Sequence, residues 1–512
     1  MYQNPELRRA VIMKSFIDHC IQAGDAFLSA EELYQVCLTN SPFLSIDDFH
    51  DDIQALIKSG FLIKEADRIY LVKNWLDENT AARCMAHILQ LPPLHVIDVP
   101  DRVEVDGILL THEQRNAVAM ALRNRISLIL GGAGTGKTTI IKAILQLSGF
   151  PEWYQTLSCA PTGKAVRNLA AHGILPARTI HSAMGIKTTD DDDVSLVSWR
   201  TIRLVNIDEL SMVTTHHMAM ILAAMDNCCR LVLIGDDQQL PPIGAGNVIN
   251  DLRSLDVPCI VLHENHRLHS DAHCLTDNVL HFDEMVHRQD FKIGDSFDII
   301  PTSDLETNDR IAQDAAERIK LKQNIQVICA YNSQVHDINK HIQSIVNPKA
   351  LYKKEIRHRN MVLRDGDRVI ITRNDRDRGC YNGDIGTLRI HHIDQLGLAY
   401  TIILPNGHTI MWRGQAAVEQ LNNMILAYAI TVHRAQGSEY DYVMMPVHLW
   451  MKSLLTRNML YTAISRAKRQ MLIYGDPNAI DMALAKELPA RNSMLVSKTR
   501  VLMSTDELPV SI

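Results

Sequence analysis

The stretch ISLILGGAGTGKTTIIKAIL, residues 126–145, decides the fold of this chain. An apolar run of five residues leads into the glycine-rich loop GGAGTGKT, residues 131–138, and a second apolar run follows it. A strand, a tight loop and a helix in this order form a phosphate-binding loop, in which backbone N–H groups and the positive end of the helix surround an anion. The sequence therefore predicts a nucleotide-binding α/β protein.

The residues of this loop have distinct expected tasks. Its glycines let the backbone curl so that the N–H groups point at the phosphates. Lys137 is expected to reach the β and γ phosphates and the Thr138 hydroxyl to hold Mg²⁺, with Thr139 beside it. The predicted cofactors are therefore ATP and Mg²⁺. The glycines are Gly131, Gly134 and Gly136.

The composition indicates a globular protein. A chain of 512 residues with 46% hydrophobic content is long enough for three or four domains. It has no apolar run near the roughly 18 residues of a membrane span, and its start, MYQNPE, lacks a signal-peptide pattern. Ten scattered cysteines without a Cys-x-x-Cys pair favour reduced thiols, so we expect a cytoplasmic protein without a membrane partner. The net charge of −7 argues against a uniformly basic coat, so a nucleic-acid site must be a local patch.

Residues 1–95 carry no phosphate-binding pattern and are predicted to form a separate module. Capped helices precede two short apolar runs, at 61–63 and 69–72, which are joined by a charged turn. This pattern fits a winged helix-turn-helix or another helical module with a small hairpin. The helix after Ser45 carries four aspartates against Lys58 alone, which repels phosphates. We therefore expect the module to pack on the rest of the chain or to dock a protein partner.

From about residue 96, short apolar strands alternate with helices, a pattern typical of parallel α/β sheets. Ligands of such sheets bind at the carboxyl ends of the strands. The predicted strands lie at 128–130, 157–160, 204–208 and 231–236, with a second series that begins near Cys259 and includes 327–330, 426–431 and 472–476. The predicted domains are 96–258 with a hairpin insertion at about 185–201, then 259–350 together with 426–490, a β-rich insertion at 351–425, and a tail at 491–512.

The β-rich insertion is also the basic part of the chain. Between residues 349 and 378, ten lysines and arginines outnumber five acids. A nucleic-acid-facing surface requires such an excess, although a solvated loop fits it as well. The basic residues are Lys349, Lys353, Lys354, Arg357, Arg359, Arg364, Arg368, Arg373, Arg376 and Arg378.

An acidic pair and a glutamine follow two of the predicted strands. Asp208 and Glu209 close the third strand, where one carboxylate can hold Mg²⁺ and the other can orient or deprotonate the attacking water. Gln239 follows the next strand, within expected reach of a γ phosphate. Pro241 and Pro242 follow after Leu240 and are expected toward the opposite face.

Taken in order, several segments resemble the motifs of superfamily 1 helicases of the RecD-like branch. THEQRNA resembles the motif that reads adenine, APTGKA and TIHS resemble single-strand contacts of the first motor domain, and LHENHR resembles motif IV. YAITVHRAQGSE and YTAISRA are similar to motifs V and VI. These segments occupy 111–117, 160–165, 179–182, 262–267, 428–439 and 461–467.

The resemblance implies roles for single residues. Gln114 is the expected reader of adenine, and Arg267 and Arg466 are expected to touch the γ phosphate from the second motor domain. Gln436, Gly437 and Glu439 are expected to couple the nucleotide to DNA. The expected nucleic-acid contacts are Pro161, Thr162, His181, Pro241, Thr431 and His433.

A fold and an activity follow from the same resemblance. The implied fold is α/β, with two tandem RecA-like parallel-sheet motor domains, an N-terminal winged-helix module and an inserted SH3-like β-barrel. The implied activity is that of an ATP-dependent DNA helicase, which moves 5′ to 3′ on single-stranded DNA and unwinds duplex junctions in DNA repair, recombination or defence. An RNA helicase of the related branch and an ATP-gated DNA-binding switch without unwinding stay open as alternatives. Residues 187–197 are expected to form the strand-separating pin or, because of their four aspartates, an ordinary solvated turn.

Overall fold

The computed structural model describes residues 4–150, 154–186, 199–265, 272–375, 378–394 and 397–505, without the side chains of residues 392–394. Within these ranges, the search for a helix long and apolar enough to cross a membrane finds none. The predicted hairpin at 187–197 and the predicted arginine Arg267 lie outside the described residues.

The N-terminal module combines helices with a small antiparallel sheet. Its elements are α1 (Pro5–Ala23), β1 (Phe27–Ser29), α2 (Ala30–Asn40), α3 (Ile46–Lys58), β2 (Leu62–Glu65), β3 (Arg68–Leu71) and α4 (Val72–Gln90). A capping box of Ser29 and Glu32 begins α2, and Phe16 and Phe49 lie in an apolar core between the helices. β3 pairs with both β1 and β2. The predicted helices and hairpin are present, and the winged-helix classification stays a prediction.

The first motor domain is built on a six-stranded parallel sheet. Its elements are β4 (Glu104–Val105), β5 (Ile108–Leu109), α5 (His112–Arg123), β6 (Ile126–Gly131), α6 (Lys137–Leu147), β7 (Thr156–Ala160), α7 (Gly163–Ala171), β8 (Ala177–Thr179), α8 (Ile180–Ala183), β9 (Leu204–Ile207), α9 (Thr215–Ala224), β10 (Arg230–Gly235), α10 (Val248–Ser254) and β11 (Cys259–Leu262). The strand order is β11-β6-β10-β9-β7-β8. Every residue of β6 and β10 is buried, as expected for central strands covered on both faces.

The position of β11 corrects one prediction. We expected the strand near Cys259 to open the second series, but it pairs in parallel with β6 of the first sheet. An apolar run predicts a strand without indicating its neighbour, because pairing depends on the tertiary fold. The first sheet therefore extends to Leu262.

The second motor domain is interrupted by the β-rich insertion. Its elements, with those of the insertion, are α11 (His273–Leu280), β12 (Phe297–Pro301), α12 (Asp304–Lys320), β13 (Ile325–Cys329), α13 (Asn332–Val346), β14 (Glu355–His358), β15 (Met361–Arg364), β16 (Arg368–Ile371), β17 (Ile385–Asp394), β18 (Gly397–Ile403), β19 (Thr409–Arg413), α14 (Gly414–Gln420), β20 (Met424–Leu426), β21 (Ala429–Thr431), α15 (Val432–Ala435), β22 (Tyr440–Val447), α16 (Arg457–Ile464), β23 (Ala467–Gly475) and α17 (Pro477–Ala485). The last helix, α18 (Leu495–Ser504), returns to pack on α4 and α10. The parallel motor sheet has the order β12-β23-β22-β13-β21, and the antiparallel sheet of the insertion has the order β19-β18-β17-β16-β20.

Residues 426–431, which we predicted as one strand, divide between two sheets. β20 pairs antiparallel with β16 of the insertion, whereas β21 pairs in parallel with β13 of the motor. Both short strands are apolar, so a continuous apolar run conceals the point where the chain passes from one domain to the other.

Several basic residues of the insertion have structural partners. Arg368 donates hydrogen bonds to the carbonyl of Ile325 at 2.7 Å and to the side-chain oxygen of Gln326 at 2.9 Å. Arg364 Nε lies 3.0 Å from the Glu355 carboxylate. The predicted nucleic-acid surface must therefore be smaller than the charge count indicated, because a count does not separate paired cations from available ones.

The N-terminal module packs on the first motor domain, which confirms one of the two predicted arrangements. α4 lies against α9 and α18. The ring of His216 on α9 contacts the Asp77 carboxylate at 2.8 Å, and the backbone N–H of Gly246 donates to the carbonyl of Gly24 at 2.9 Å. The module is thus part of the motor's own packing.

Two arginines of α1 hold the acidic side of α3. Arg8 Nε and Arg9 Nε lie 2.8 and 2.9 Å from the two carboxylate oxygens of Asp52, and Arg8 also contacts Asp48 at 3.1 Å. Asp52 is only 1% exposed, whereas Asp51 beside it is exposed. Half of the acidic charge of α3 is therefore already paired within the module.

We expect Asp52→Ala to destabilise the N-terminal module by about 3 kcal/mol, because it leaves two arginines beside a buried position without their carboxylate. Hydrogen exchange of the α3 amides in the full-length protein measures this effect. Asp51→Ala removes a carboxylate from the exposed position next to Asp52. It should change the free energy of exchange by less than about 0.5 kcal/mol. Equal changes for the two variants would contradict the stabilising role of the ion pairs.

Candidate nucleotide and nucleic-acid site

The glycine-rich loop joins β6 to α6 at the centre of the first sheet. Gly134 and Gly136 have φ of +89° and +83°, a left-handed conformation that residues with a Cβ atom adopt only under strain. A Cβ atom on Gly131 would lie 2.6 Å from Thr135 Oγ1. The tight curl predicted from the sequence therefore requires glycine at these positions.

Lys137 begins α6 at the end of the loop. Its Nζ donates to the carbonyls of Gly131 and Gly132 at 2.6 and 2.7 Å, so the ammonium group is held within the loop. Thr138 and Thr139 are half-buried in the first helical turn. A cation, loop amides and helix hydroxyls at one place form the donor set that a nucleoside triphosphate requires.

Gln114 connects helix α5 to the loop. It is 4% exposed, forms a capping box with Thr111, and donates from Nε2 to the carbonyl of Thr135 at 3.2 Å. Its predicted role as the adenine reader stays a prediction, and in this structure its amide supports the phosphate loop.

Asp208 and Glu209 lie together at the end of β9. The Glu209 backbone N–H donates to Asp208 Oδ1 at 2.9 Å, and Glu209 has φ of +55°, which is uncommon for a residue with a Cβ atom. Burial raises the pKa of both carboxyl groups, and the Asp208 charge raises the pKa of Glu209 further. The nearby Lys137 lowers the pKa of both, and Arg466 lowers that of Glu209. A half-buried acidic pair flanked by cations suits metal binding and activation of water.

Asp236 is a third carboxyl group at this place, which we did not predict as a site residue. It is 2% exposed and accepts hydrogen bonds from Gln239 Nε2 and from the Tyr461 hydroxyl, each at 3.0 Å. Burial raises its pKa, and Lys137 lowers it. The sequence contained a signal for it, because Asp236 directly follows β10 as Asp208 directly follows β9. Gln239, which we expected near the γ phosphate, is here the hydrogen-bond donor that holds Asp236.

The second motor domain contributes Arg466 and Tyr461 to this cleft. Arg466 is 4% exposed and donates from Nε to the Thr462 carbonyl at 3.1 Å and from Nη2 to Ser465 Oγ at 3.1 Å. A Cβ atom added to Gly132 would lie 2.8 Å from the Tyr461 hydroxyl oxygen. Side chains from both motor domains therefore meet at the phosphate loop.

Hydrogen bonds join the two motor domains beside this cleft. The Leu240 backbone N–H donates to Thr462 Oγ1 at 2.8 Å, and the Leu240 carbonyl accepts from Gln436 Nε2 at 3.1 Å. Asn458 donates to the Gln238 carbonyl at 2.9 Å. The loop after β10 is therefore a direct link between the motor domains.

The predicted nucleic-acid contacts lie at the carboxyl ends of strands in both domains. Thr162 and Thr431 cap the helices α7 and α15, accepting from backbone N–H groups at 3.2 and 3.4 Å. The His181 ring lies 5.0 Å from that of His217, and burial, with Arg491, lowers the pKa of His433. Pro161 and Pro241 are half-buried.

Gly437 lies between the nucleotide side and the nucleic-acid side. It has φ of +66°, and a Cβ atom there would lie 3.8 Å from Glu209 Oε1 and 4.0 Å from Thr162 Oγ1. Glu439, two residues further on, pairs with Lys468 at 2.9 Å.

Sequence reasoning missed two cations around this region. Lys164 hydrogen-bonds Ser438 Oγ and lies over the Tyr440 ring, and burial lowers its pKa. Arg491 donates to the carbonyls of Pro242 and Gly246 at 2.9 and 2.7 Å. The predicted tail is therefore anchored on the loop after β10, a contact between segments far apart in the chain.

Comparison with known protein families identifies three parts of the chain. Residues 109–284 match an AAA domain, residues 426–474 a UvrD-like helicase C-terminal domain, and residues 338–399 the SH3 domain of ATP-dependent RecD-like DNA helicases. These matches, in this order, make the chain similar to RecD-like DNA helicases. The predicted SH3-like insertion is confirmed by the match to the SH3 domain of that group.

Individual proteins and a solved structure are similar to this chain. The ATP-dependent RecD2 DNA helicase of Deinococcus radiodurans is 28% identical over 462 residues, which cover 85% of this chain and 59% of that protein. The RecBCD enzyme subunit RecD of Buchnera aphidicola is 25% identical over 495 residues, which cover 81% of this chain and 81% of that protein. A crystal structure of Bacteroides Pif1 bound to single-stranded DNA is 20% identical, with a TM-score of 0.48, and covers 74% of this chain and 95% of that chain.

We expect Gly437→Ala to lower DNA-stimulated ATP hydrolysis about tenfold. The new methyl group would contact Glu209 and Thr162 in a backbone conformation that costs about 1–2 kcal/mol for alanine, and a shift of this turn alters both sides of the cleft. Steady-state ATPase assays measure the change.

The control is Gly407→Ala, which has a similar φ of +81° but meets no described atom within 4 Å. Its ATPase rate should stay within twofold of the unmodified protein. An equal loss in both variants would assign the effect to backbone strain in general.

Proposed function

We propose that the protein is an ATP-dependent DNA helicase that moves 5′ to 3′ along single-stranded DNA and unwinds duplex junctions. The observation that carries this proposal is the cleft between two parallel sheets. There the phosphate loop and the carboxyl groups of Asp208, Glu209 and Asp236 meet Arg466 from the other domain. Similarity to RecD-like DNA helicases supports the coupling to DNA, and the polarity follows the same resemblance.

The residues of the cleft divide the chemistry of ATP hydrolysis between them. Lys137 and the loop amides bind the phosphates, and Glu209 accepts a proton from the attacking water. The Thr138 hydroxyl and the Asp208 carboxylate are oxygen ligands of the kind that Mg²⁺ prefers, and the metal ion would neutralise phosphate charge when bound. Arg466, with Arg267 as its proposed companion, stabilises the charge of the transferred phosphoryl group.

The same residues explain how hydrolysis would drive movement. A γ phosphate attracts arginines of the second motor domain, so the cleft closes when ATP binds and opens when the charge leaves. Thr162 and His181 of one domain, and Thr431 and His433 of the other, would then hold the strand alternately. Gly437 lies between the hydrolytic side and the strand side, so its turn would transmit the change.

Three further assignments complete the proposal. Residues 187–197 act as the pin that separates the strands. The N-terminal module offers its exposed surface to a protein partner, because the acids of α3 disfavour phosphates. The protein works in the cytoplasm, in repair, recombination or defence.

We expect Lys137→Ala and Glu209→Gln to abolish ATP hydrolysis and unwinding, because the first removes the phosphate-binding cation and the second the proton acceptor. The assay measures strand separation on matched DNA and RNA duplexes with single-stranded tails of either polarity. The unmodified protein should unwind only the 5′-tailed DNA. Preference for RNA or for the 3′ tail would overturn the proposed substrate or polarity, and ATP-dependent binding without separation would indicate a switch.

Arg466→Ala should lower kcat for ATP about 10³-fold while nucleotide affinity stays within a few-fold, because an arginine finger acts mainly on the transition state. Steady-state ATPase kinetics and binding of a labelled nucleotide separate the two effects. Arg466→Lys keeps the charge but loses the planar donor fork, so it should recover only part of kcat. A rate within tenfold of the unmodified protein for Arg466→Ala would remove this arginine from the site.

A further inference from the structure

A cavity of about 510 Å³ lies where the second motor domain meets the insertion. Its walls come from α13, from the β14–β15 hairpin, from residues 421–426 and from Arg434 of α15. None of these wall residues was predicted as a nucleotide or nucleic-acid contact, although Arg359 and Arg364 belong to the basic stretch of the insertion.

The charge of this cavity is strongly one-sided. Among the described residues, its wall contains six basic side chains and no aspartate or glutamate, although acids exceed lysines and arginines in the whole chain. Two of the six are already engaged, since Arg364 pairs with Glu355 at 3.0 Å and His358 contacts Asn422 at 2.9 Å. Those with no hydrogen bond or ion pair to another described side chain are His336, Lys340, Arg359 and Arg434.

Of these four basic side chains, Arg434 gives the strongest indication of a ligand. Its backbone N–H donates to Thr431 Oγ1, and its side chain is half-buried. Burial lowers the pKa of Arg434, and no carboxylate in the described part of the chain offsets that effect. A guanidinium group taken out of water without an acid is costly. An anionic ligand would supply the missing partner.

Arg359 lies at the turn of the β14–β15 hairpin and has φ of +51°. Glycine adopts this conformation without strain, and an arginine there is unfavourable. Strained residues of this kind concentrate at binding sites, where the side chain compensates for the backbone cost. Here the strained position supplies a cation to the cavity wall.

The remaining wall is apolar with a few amides. The apolar part includes Val335, Val362 and Leu426, and the amides include Asn332 and Asn360. Cavities of about 300–1,000 Å³ with apolar walls and a few polar groups are typical of small-ligand sites. A nucleic-acid base can pack its flat face on the apolar wall and form hydrogen bonds from its edges to the amides. A phosphate group can pair with the basic side chains.

We propose that this cavity binds one nucleotide of the single-stranded DNA, with the phosphate held by Arg434, Lys340 and Arg359 and the base against the apolar wall. The choice of a strand over a free nucleotide rests on the proposed function, because Arg434 directly follows His433 in the segment assigned to the DNA backbone. The insertion would thereby hold the strand at its junction with the motor.

The first experiment measures the affinity of the full-length protein for labelled single-stranded DNA by fluorescence anisotropy at several salt concentrations. Arg434→Gln and the double variant Lys340→Gln with Arg359→Gln should each raise Kd at least tenfold. Each lost phosphate contact should reduce the slope of log K against log salt by about 0.7. Thermal unfolding checks that the variants fold, and Arg434→Lys, which keeps the charge, should recover most of the affinity.

Lys320→Gln is the matched control, because Lys320 is exposed at the end of α12 in the same domain, outside the cavity. Its Kd and salt slope should stay within twofold of the unmodified protein. Unchanged binding in Arg434→Gln and in the double variant, while the unmodified protein still unwinds DNA, would overturn the proposed cavity site and leave the helicase function standing. A protein that neither binds nor unwinds DNA would overturn both.

The second experiment tests the base and the source of the nucleotide. Oligonucleotides with one abasic position, moved along the strand, should bind about tenfold more weakly when that position meets the cavity. The same small loss at every position would overturn binding of the base. Calorimetric titration with thymidine monophosphate tests the other source, and tight binding that Arg434→Gln removes while strand affinity is unchanged would assign the cavity to a free nucleotide.

Discussion

The structure depends on one electrostatic arrangement, in which two half-buried carboxyl groups and one buried carboxyl group face cations across the cleft between the motor domains. Asp208, Glu209 and Asp236 follow neighbouring strands, and burial raises the pKa of each. Buried charges without compensation would be costly. Lys137 from the phosphate loop and Arg466 from the second domain provide this compensation, so the nucleotide site and the contact between the domains are one feature.

The loop after β10 extends this arrangement to the rest of the molecule. Leu240 bonds to Thr462 and Gln436 of the second motor domain, and Gly246 bonds to Gly24 of the N-terminal module. Arg491 fixes the same loop from the end of the chain. Asp236 therefore lies next to a segment that contacts both the other motor domain and the N-terminal module.

Charge is distributed locally rather than over the whole surface. The protein is acidic overall, and many cations of the insertion serve its own packing, as Arg368 does through its bonds to Ile325 and Gln326. Cations without acidic partners gather instead around the cavity between α13 and the β14–β15 hairpin. The acids of α3 are partly neutralised by Arg8 and Arg9, so the module uses them for its own stability.

The amino-acid sequence by itself determined the local features: the phosphate loop, its glycines, the capped helices and the buried central strands. These depend on short-range backbone geometry and on apolar periodicity, which neighbouring residues encode. The RecD-like resemblance added the motif residues, although Arg267 and the proposed pin lie outside the described residues. Only the tertiary structure decided which strands pair, so it moved β11 to the first sheet and divided residues 426–431 between two sheets. It also brought Asp236, Tyr461 and Arg491 to the site, because contacts between distant segments depend on how the sheets pack, and no local pattern records that.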